Sequence, residues 1–317
     1  MKRCLFAIVI LMTGLATHAQ PLRFRIIGYL RTQSIIAGEA EKIDYSKVTH
    51  INIAFINPDS TGNFAVLPGI KTFADKMHSR HVKVLASIGG GLAPAYYTSL
   101  LADGNRSAFV RKLAQMAELY NLDGIDADLE GERIDANYEG FITELSAVLK
   151  PKNKLLTAAV ATVYKERYTD KVLALFDFIN IMSYDKTGPW RPEKPGPHAP
   201  YEMAVEDMNY WALEKGIAKE KLNLGVPFYG YGFGPGAPQD ASFRKIASSF
   251  SGSENKDEVT VPGGGTIYYN GITTIKNKTS LALKQAGGIM IWQLLGDAEG
   301  KYSLLNAINE VISQNAK

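Results

Sequence analysis

The chain has 317 residues, with 35 Lys or Arg against 32 Asp or Glu, five His and one Cys, for a formal charge of +3. Loss of an N-terminal leader containing Lys2 and Arg3 lowers this to about +1, which gives no support for nucleic acid or an anionic membrane as partner. The length suits one large α/β barrel domain, and no later apolar run is long enough for a membrane span.

Residues 1–19 read as a secretory signal peptide. Lys2 and Arg3 form a basic start, residues 5–15 are mostly apolar but short for a bilayer, and small residues follow at Ala16 and Ala19. Cleavage after Ala19, or after Ala16, is expected to export the protein to the periplasm, cell surface or medium. Cys4 lies near the start of this segment, so it is not a lipoprotein-type attachment cysteine. The mature chain then has no cysteine for a disulfide and relies on its core.

Eight short apolar runs have strand character: 26–30, 48–56, 82–88, 124–130, 155–160, 178–184, 222–228 and 288–293. Amphipathic segments lie between most of them, at 70–81, 106–120, 137–149, 169–176, 201–215 and 272–285, and one at 302–313 closes the chain. The alternation predicts parallel βαβ units. Eight of them predict an α/β fold, a closed (β/α)8 TIM barrel over residues 20–317, with the active site where the strands end. The first crossover, 32–46, offers only a short helical stretch. A doubly wound open sheet is the alternative, but no Gly-rich dinucleotide fingerprint follows the first strand. The Gly/Pro/Ser-rich stretch 229–271 is expected to be a short insertion after strand seven, carrying a hairpin of 258–261 with 266–269 around Pro262.

The fourth run, Asp123-Gly124-Ile125-Asp126-Ala127-Asp128-Leu129-Glu130, organises the rest. On a strand, Asp126, Asp128 and Glu130 share one face while Ile125, Ala127 and Leu129 share the other. Such an acidic face is either a solvated edge or a site, because unpaired buried carboxylates are costly. Crowded carboxylates raise one another's pKa, and one that keeps its proton near neutrality is a general acid. Successive acids lie about 6.6 Å apart at about 3.3 Å per residue, with Glu130 nearest the open end and Asp126 deepest. Asp126 and Asp128 are expected to share a proton. Asp123, on the opposite parity, is assigned a structural role. A calcium loop beginning at Asp126 would need an acid twelve positions along, where Asn137 stands. The five His residues show no metal-ligand spacing.

Other strand ends carry Ser87-Ile88-Gly89-Gly90, Met182-Ser183-Tyr184-Asp185 and Met290-Ile291-Trp292. Glycines there let backbones approach closely. A Trp at a barrel-strand end either packs in the core or stacks on a sugar face.

Together these segments resemble the family 18 glycoside hydrolases, the chitinase family. Asp123-x-x-Asp126-x-Asp128-x-Glu130 matches that family's signature, and the likeness runs nearly the whole mature chain. Ile27-Gly28-Tyr29 is similar to its first strand, Asn52-Ile53-Ala54-Phe55 to its second, Ser87-Ile88-Gly89-Gly90 to its SxGG motif and Met182-Ser183-Tyr184-Asp185 to its MxYD. Gly225-Val226-Pro227-Phe228-Tyr229-Gly230 and Gly288–Trp292 are similar to its seventh and eighth strands. Leu129 departs from the family's usual Trp or Tyr, and is expected to alter packing only. The insertion is shorter than the α+β domain of deep-groove chitinases, which implies a shallower cleft.

The resemblance implies retaining, substrate-assisted hydrolysis of β-1,4 bonds after N-acetylglucosamine, in chitin or chito-oligosaccharides. Glu130 protonates the leaving oxygen and later acts as base. Asp128 bonds the acetamido N–H, with Asp126 behind it, Tyr184 holds the acetamido oxygen, Asp185 stands beside it and Trp292 forms the floor. Tyr29, Phe55, Gly89, Gly90, Tyr229 and Trp190 complete the expected sugar-binding set, with no metal and no organic cofactor. An endo-β-N-acetylglucosaminidase cutting N-glycan cores, and a non-catalytic chitin-binding member, are the alternatives.

Overall fold

A computed structural model describes residues 24–315. The expected signal peptide lies outside the described residues. Eight strands close a parallel barrel: β1 (Arg25–Arg31), β2 (His50–Ala54), β3 (Lys83–Gly89), β4 (Gly124–Asp128), β5 (Leu155–Val160), β6 (Phe178–Ile181), β7 (Leu222–Pro227) and, after an insertion, β12 (Gly288–Trp292), which pairs with both β7 and β1. Each barrel strand is buried on both faces, which explains its nearly continuous apolar sequence.

Around the barrel run α1 (Thr32–Ile36), α2 (Ile70–His78), α3 (Tyr97–Leu101), α4 (Asp103–Leu119), α5 (Tyr138–Leu149), α6 (Asp170–Leu175), α7 (Tyr201–Met208), α9 (Ile272–Gln285) and α10 (Leu304–Asn315). The α7 helix runs on as a π-helix over Asn209–Glu214, which buries Trp211. The main core lies between strands and helices and takes the outward residues, Ile125, Ala127 and Leu129 among them. Leu129 therefore faces away from the acids and is fully buried, as its parity requires. The first crossover is the poorest in helix, with α1 followed only by 3-10 turns at Glu39–Lys42 and Tyr45–Lys47.

The insertion is richer than the single hairpin expected. It holds β8 (Tyr229–Phe233), β9 (Asp240–Ser242), β10 (Glu258–Thr260) and β11 (Thr266–Tyr268), joined as an antiparallel sheet in the order β10-β11-β8-β9, and α8 (Phe243–Ser249). The hairpin is β10 with β11. The expectation missed β8, which follows β7 almost without a break and pairs with β9 on one side and, on the other, with β11, whose residues lie 33 to 37 positions later.

Candidate active site

Because all eight barrel strands are parallel, their C-terminal ends share one mouth. The acids of β4 rise towards it. Asp126 is fully buried and its carboxylate collects four donors from four strands: Tyr29 Oη (2.7 Å), Ser87 Oγ (2.8 Å), Thr157 Oγ1 (2.6 Å) and Asn180 Nδ2 (3.2 Å). Burial raises its pKa, and these four hydrogen bonds oppose the rise. Among the described residues, no side-chain hydrogen bond joins Asp126 to Asp128, whose carboxylate neighbours instead act on it by charge, Asp126 among them.

Asp128 is the contrasting case. It is 4% exposed, and its buried Oδ1 has no hydrogen-bond partner among the described residues. Burial, then the charges of Glu130 and Asp126, push its pKa well above the carboxylate range. Glu130 follows just beyond the strand with extended backbone (φ −125°, ψ 153°), so the alternation continues through it. Burial, then the Asp185 charge, push Glu130 up to about 7, while Arg133 pulls it down. Arg133 is held over the site by donating to the Ala93 carbonyl. Asp123 sits at the other end of β4, where Oδ2 accepts from Val84 N–H (2.7 Å) and meets His78 Nε2 (2.7 Å), tying β4 to β3 and α2.

Gly89 and Gly90 are buried framework and do not present themselves to a ligand. Gly89 has φ +102°, and a Cβ there would lie 2.1 Å from the Asp128 carbonyl oxygen; Gly90 donates its N–H to that same oxygen (2.7 Å). The two glycines let β3 close tightly on β4 and so fix the height of Asp128. Tyr29 also departs from its expected place in the cleft wall. It is 1% exposed, with its hydroxyl on Asp126 and its ring edge-on to Trp292 (5.5 Å), so it supports the floor from below. Trp292 itself is partly exposed and stacks on Phe55 (5.6 Å, 25°).

An aromatic wall rises on the β6–β8 side. Tyr184, inside the barrel, points its hydroxyl at Met290 Sδ (3.7 Å) and stands edge-on to Tyr229 (6.3 Å). Tyr229 meets Tyr231 (5.3 Å), and Tyr231 meets Trp190 (5.4 Å), which is 54% exposed. Asp185 has a left-handed backbone (φ +64°) that turns it out of the strand direction, leaving its side chain 40% exposed. It accepts from the Tyr229 hydroxyl and faces His198 Nδ1 (3.4 Å). Sequence reasoning missed Tyr231 and His198. The Tyr229-Gly230-Tyr231-Gly232-Phe233 alternation was the available signal for Tyr231; His198 had none.

Among the described residues, no group of three or more His, Cys, Asp or Glu side chains is arranged to hold a metal ion, and no helix is long and apolar enough to cross a membrane. Chemically, the mouth offers a carboxyl group partly protonated at neutral pH, a buried carboxyl lacking a donor, and flat aromatic surfaces. That combination suits proton transfer to an uncharged, hydroxylated ligand with apolar faces.

A family model described as "Glycosyl hydrolases family 18" matches residues 25–297. Among solved structures, the chain is similar to the family 18 chitinase from the chitin utilization locus of Flavobacterium johnsoniae, at 36% identity over 93% of this chain and 96% of that one, with a TM-score of 0.85. Among curated relatives, it is 30% identical over 227 residues to a chitinase-like effector of Moniliophthora roreri, covering 61% of this chain and 55% of the relative. It is 27% identical over 320 residues to a probable chitinase 2 of Drosophila melanogaster, covering 85% of this chain and 63% of the relative. The chain thus spans between half and two thirds of the length of these two curated relatives.

Proposed function

Because this chain belongs to the glycosyl hydrolases of family 18, we propose that it is an exported chitinase-type enzyme that cleaves the β-1,4 bond after N-acetylglucosamine in chitin or chito-oligosaccharides. The observation that carries the reading is the pair on β4: Glu130, raised to about 7, above a buried Asp128 whose Oδ1 has no partner. A proton donor at the mouth and an empty acceptor one step deeper are what substrate-assisted hydrolysis asks of a protein.

In the proposed reaction the sugar lies on Trp292, which Phe55 and Tyr29 brace from beneath. The acetamido N–H donates to the Asp128 carboxyl group. The acetamido oxygen attacks C1, while the Glu130 proton moves to the glycosidic oxygen and that bond breaks. Tyr184 steadies the acetamido oxygen, and Asp185, locked by Tyr229, keeps the wall in place. Water then enters, Glu130 takes its proton, and hydroxide opens the cyclic oxazolinium with retention at C1. Asp126 touches no substrate; it acts as a fixed charge under Asp128. Trp190 and Tyr231 extend the platform outward along the rim.

The test is Glu130→Gln with purified protein and chito-oligomers, products read by mass spectrometry. Loss of about a thousandfold or more in rate is expected, and cleavage near the wild-type rate defeats the assignment. A high-mannose glycopeptide in parallel separates a chitinase from an endo-β-N-acetylglucosaminidase. Export is tested by N-terminal sequencing of the processed protein, with Gln20 or Thr17 expected as first residue.

A further inference from the structure

A hydrogen-bonded chain crosses the barrel from its opposite mouth to the deepest acid. Arg25, the first residue of β1, is 8% exposed and lies over the Phe178 ring (4.6 Å). Its Nε donates to Asn223 Oδ1 (2.9 Å) and its Nη2 to the Glu220 carbonyl. Asn223 Nδ2 donates to Asn180 Oδ1 (3.1 Å) and to the Ile179 carbonyl (3.0 Å). Asn180 Nδ2 donates to Asp126 Oδ1 (3.2 Å) and meets Tyr29 Oη (3.3 Å). Both asparagines are fully buried.

The direction of this chain is fixed by chemistry. A guanidinium only donates and a backbone carbonyl only accepts, so Asn223 must turn its oxygen to Arg25 and its nitrogen to Ile179. Asn180 must then offer its oxygen to Asn223, which leaves its nitrogen for Asp126. Both amide dipoles are aligned from the cation towards the acid, and in a buried setting such bonds polarise one another.

We propose that Arg25, Asn223 and Asn180 form a relay of positioning residues that holds Asp126 as a carboxylate, so that the protons of the acid row reside on Asp128 and Glu130. Where it concerns catalysis this rests on the function proposed above; the charge on Asp126 does not. Asp126 is faced by Tyr29 from β1, Asp128 from β4 and Tyr138 from α5, together with its other three donors, Ser87, Thr157 and Asn180. Arg25 is faced by Glu220, just before β7, and by His50 of β2, which in turn feels Lys83 of β3. Burial, then Lys83 and Arg25, depress the His50 pKa to about 3, so His50 stays neutral over the working range and does not compete.

The test is a carboxyl-carbon NMR titration of the full chain labelled at Asp Cγ, with the Asp126 signal identified by its loss in Asp126→Asn. Arg25→Met removes the charge and Asn223→Leu cuts the relay while leaving the guanidinium in place. A unit charge at about 12 Å in an effective dielectric of about 20 moves a pKa by about one unit. Arg25→Met should therefore raise the Asp126 midpoint by about half a unit to one unit, Asn223→Leu should raise it measurably but less because the charge stays, and Arg25→Lys, which keeps the charge, should stay close to the wild-type midpoint. Leu145→Ala, buried on α5 away from the relay, should leave the midpoint alone. An unmoved midpoint in Asn223→Leu or Arg25→Met, whichever folds, overturns the proposal, as does an equal shift in Leu145→Ala. With chito-oligomers, the acid limb of kcat/KM should rise by the same amount with little change in KM. A wild-type protein that cleaves no chito-oligomer defeats the proposed function but leaves the titration to decide the relay.

Discussion

Glu130→Gln should stabilise the protein at alkaline pH and do little at acid pH. The folded pKa of Glu130, about 7, lies above the ordinary glutamate value of 4.5. Between the two, the folded state binds the proton and the unfolded state does not. Stability therefore falls as pH rises through this window and levels off above 7. Linkage with these two values gives a wild-type penalty of about 1 kcal/mol at pH 5 and about 3 kcal/mol at pH 8. Glutamine never ionises, so the gap between variant and wild type should widen by about 2 kcal/mol from pH 5 to pH 8. For a domain of this size that is about 5 °C in Tm. Urea unfolding of both proteins across this range measures it directly. Parallel stability curves would refute the argument, because they would mean that Glu130 ionises in the folded site as easily as in water.

If the same group is the proton donor proposed above, kcat/KM for chito-oligomers should fall tenfold per pH unit above about 7. Arg133 lowers the Glu130 pKa and Asp185 raises it; Arg133→Met should move this limb up and Asp185→Asn down, by about half a unit each after solvent screening, and limbs that move together would contradict the charge assignment. Gly89→Ala places a methyl group 2.1 Å from the Asp128 carbonyl oxygen at φ +102°; a loss of about 3 kcal/mol or more is expected in denaturant unfolding. Ala159→Ser supplies a hydroxyl at the level of Asp128; it should stabilise the fold at neutral pH by about 1 kcal/mol while lowering kcat about tenfold or more, and a gain in both would argue against Asp128 as the acceptor that substrate fills.

The barrel was legible because its strands are buried on both faces and written as apolar runs between helical segments, a pattern that needs no knowledge of distant partners. The expected run 178–184 ends as strand at Ile181, where the Ser183 N–H turns back to donate to the Ile181 carbonyl (2.9 Å), and the left-handed Asp185 follows. The acid row was legible for a related reason: period two placed Asp126, Asp128 and Glu130 on one face in either strand orientation. The polar layer around Asp126 was not read, although Thr157 and Asn180 each stand as single polar residues inside apolar strands and therefore required a buried partner. Which partner depends on barrel register between elements up to 151 residues apart. His198 was out of reach for the same reason, since its two nitrogens face Asp185 and Tyr229, 13 and 31 residues away.

Register also explains why two aspartates on one strand face behave differently. Asp126 pairs across β4 with Ser87 on one side and Thr157 on the other, and both hydroxyls reach its carboxylate. One step nearer the mouth, Asp128 pairs with Gly89, and the next residue along β5 is Ala159, so neither neighbouring strand has a side-chain donor to give. The same two-residue rise that repeats the carboxyl group thus removes its partners. A buried acid without donors binds a proton, or an incoming N–H, more strongly than one already saturated. The deeper aspartate can be replaced as a ligand only by breaking four hydrogen bonds, whereas the shallower one gains its first hydrogen bond when a donor arrives. On the proposed mechanism, binding energy at this mouth is therefore concentrated on Asp128, beneath the Glu130 carboxyl group assigned there as proton donor.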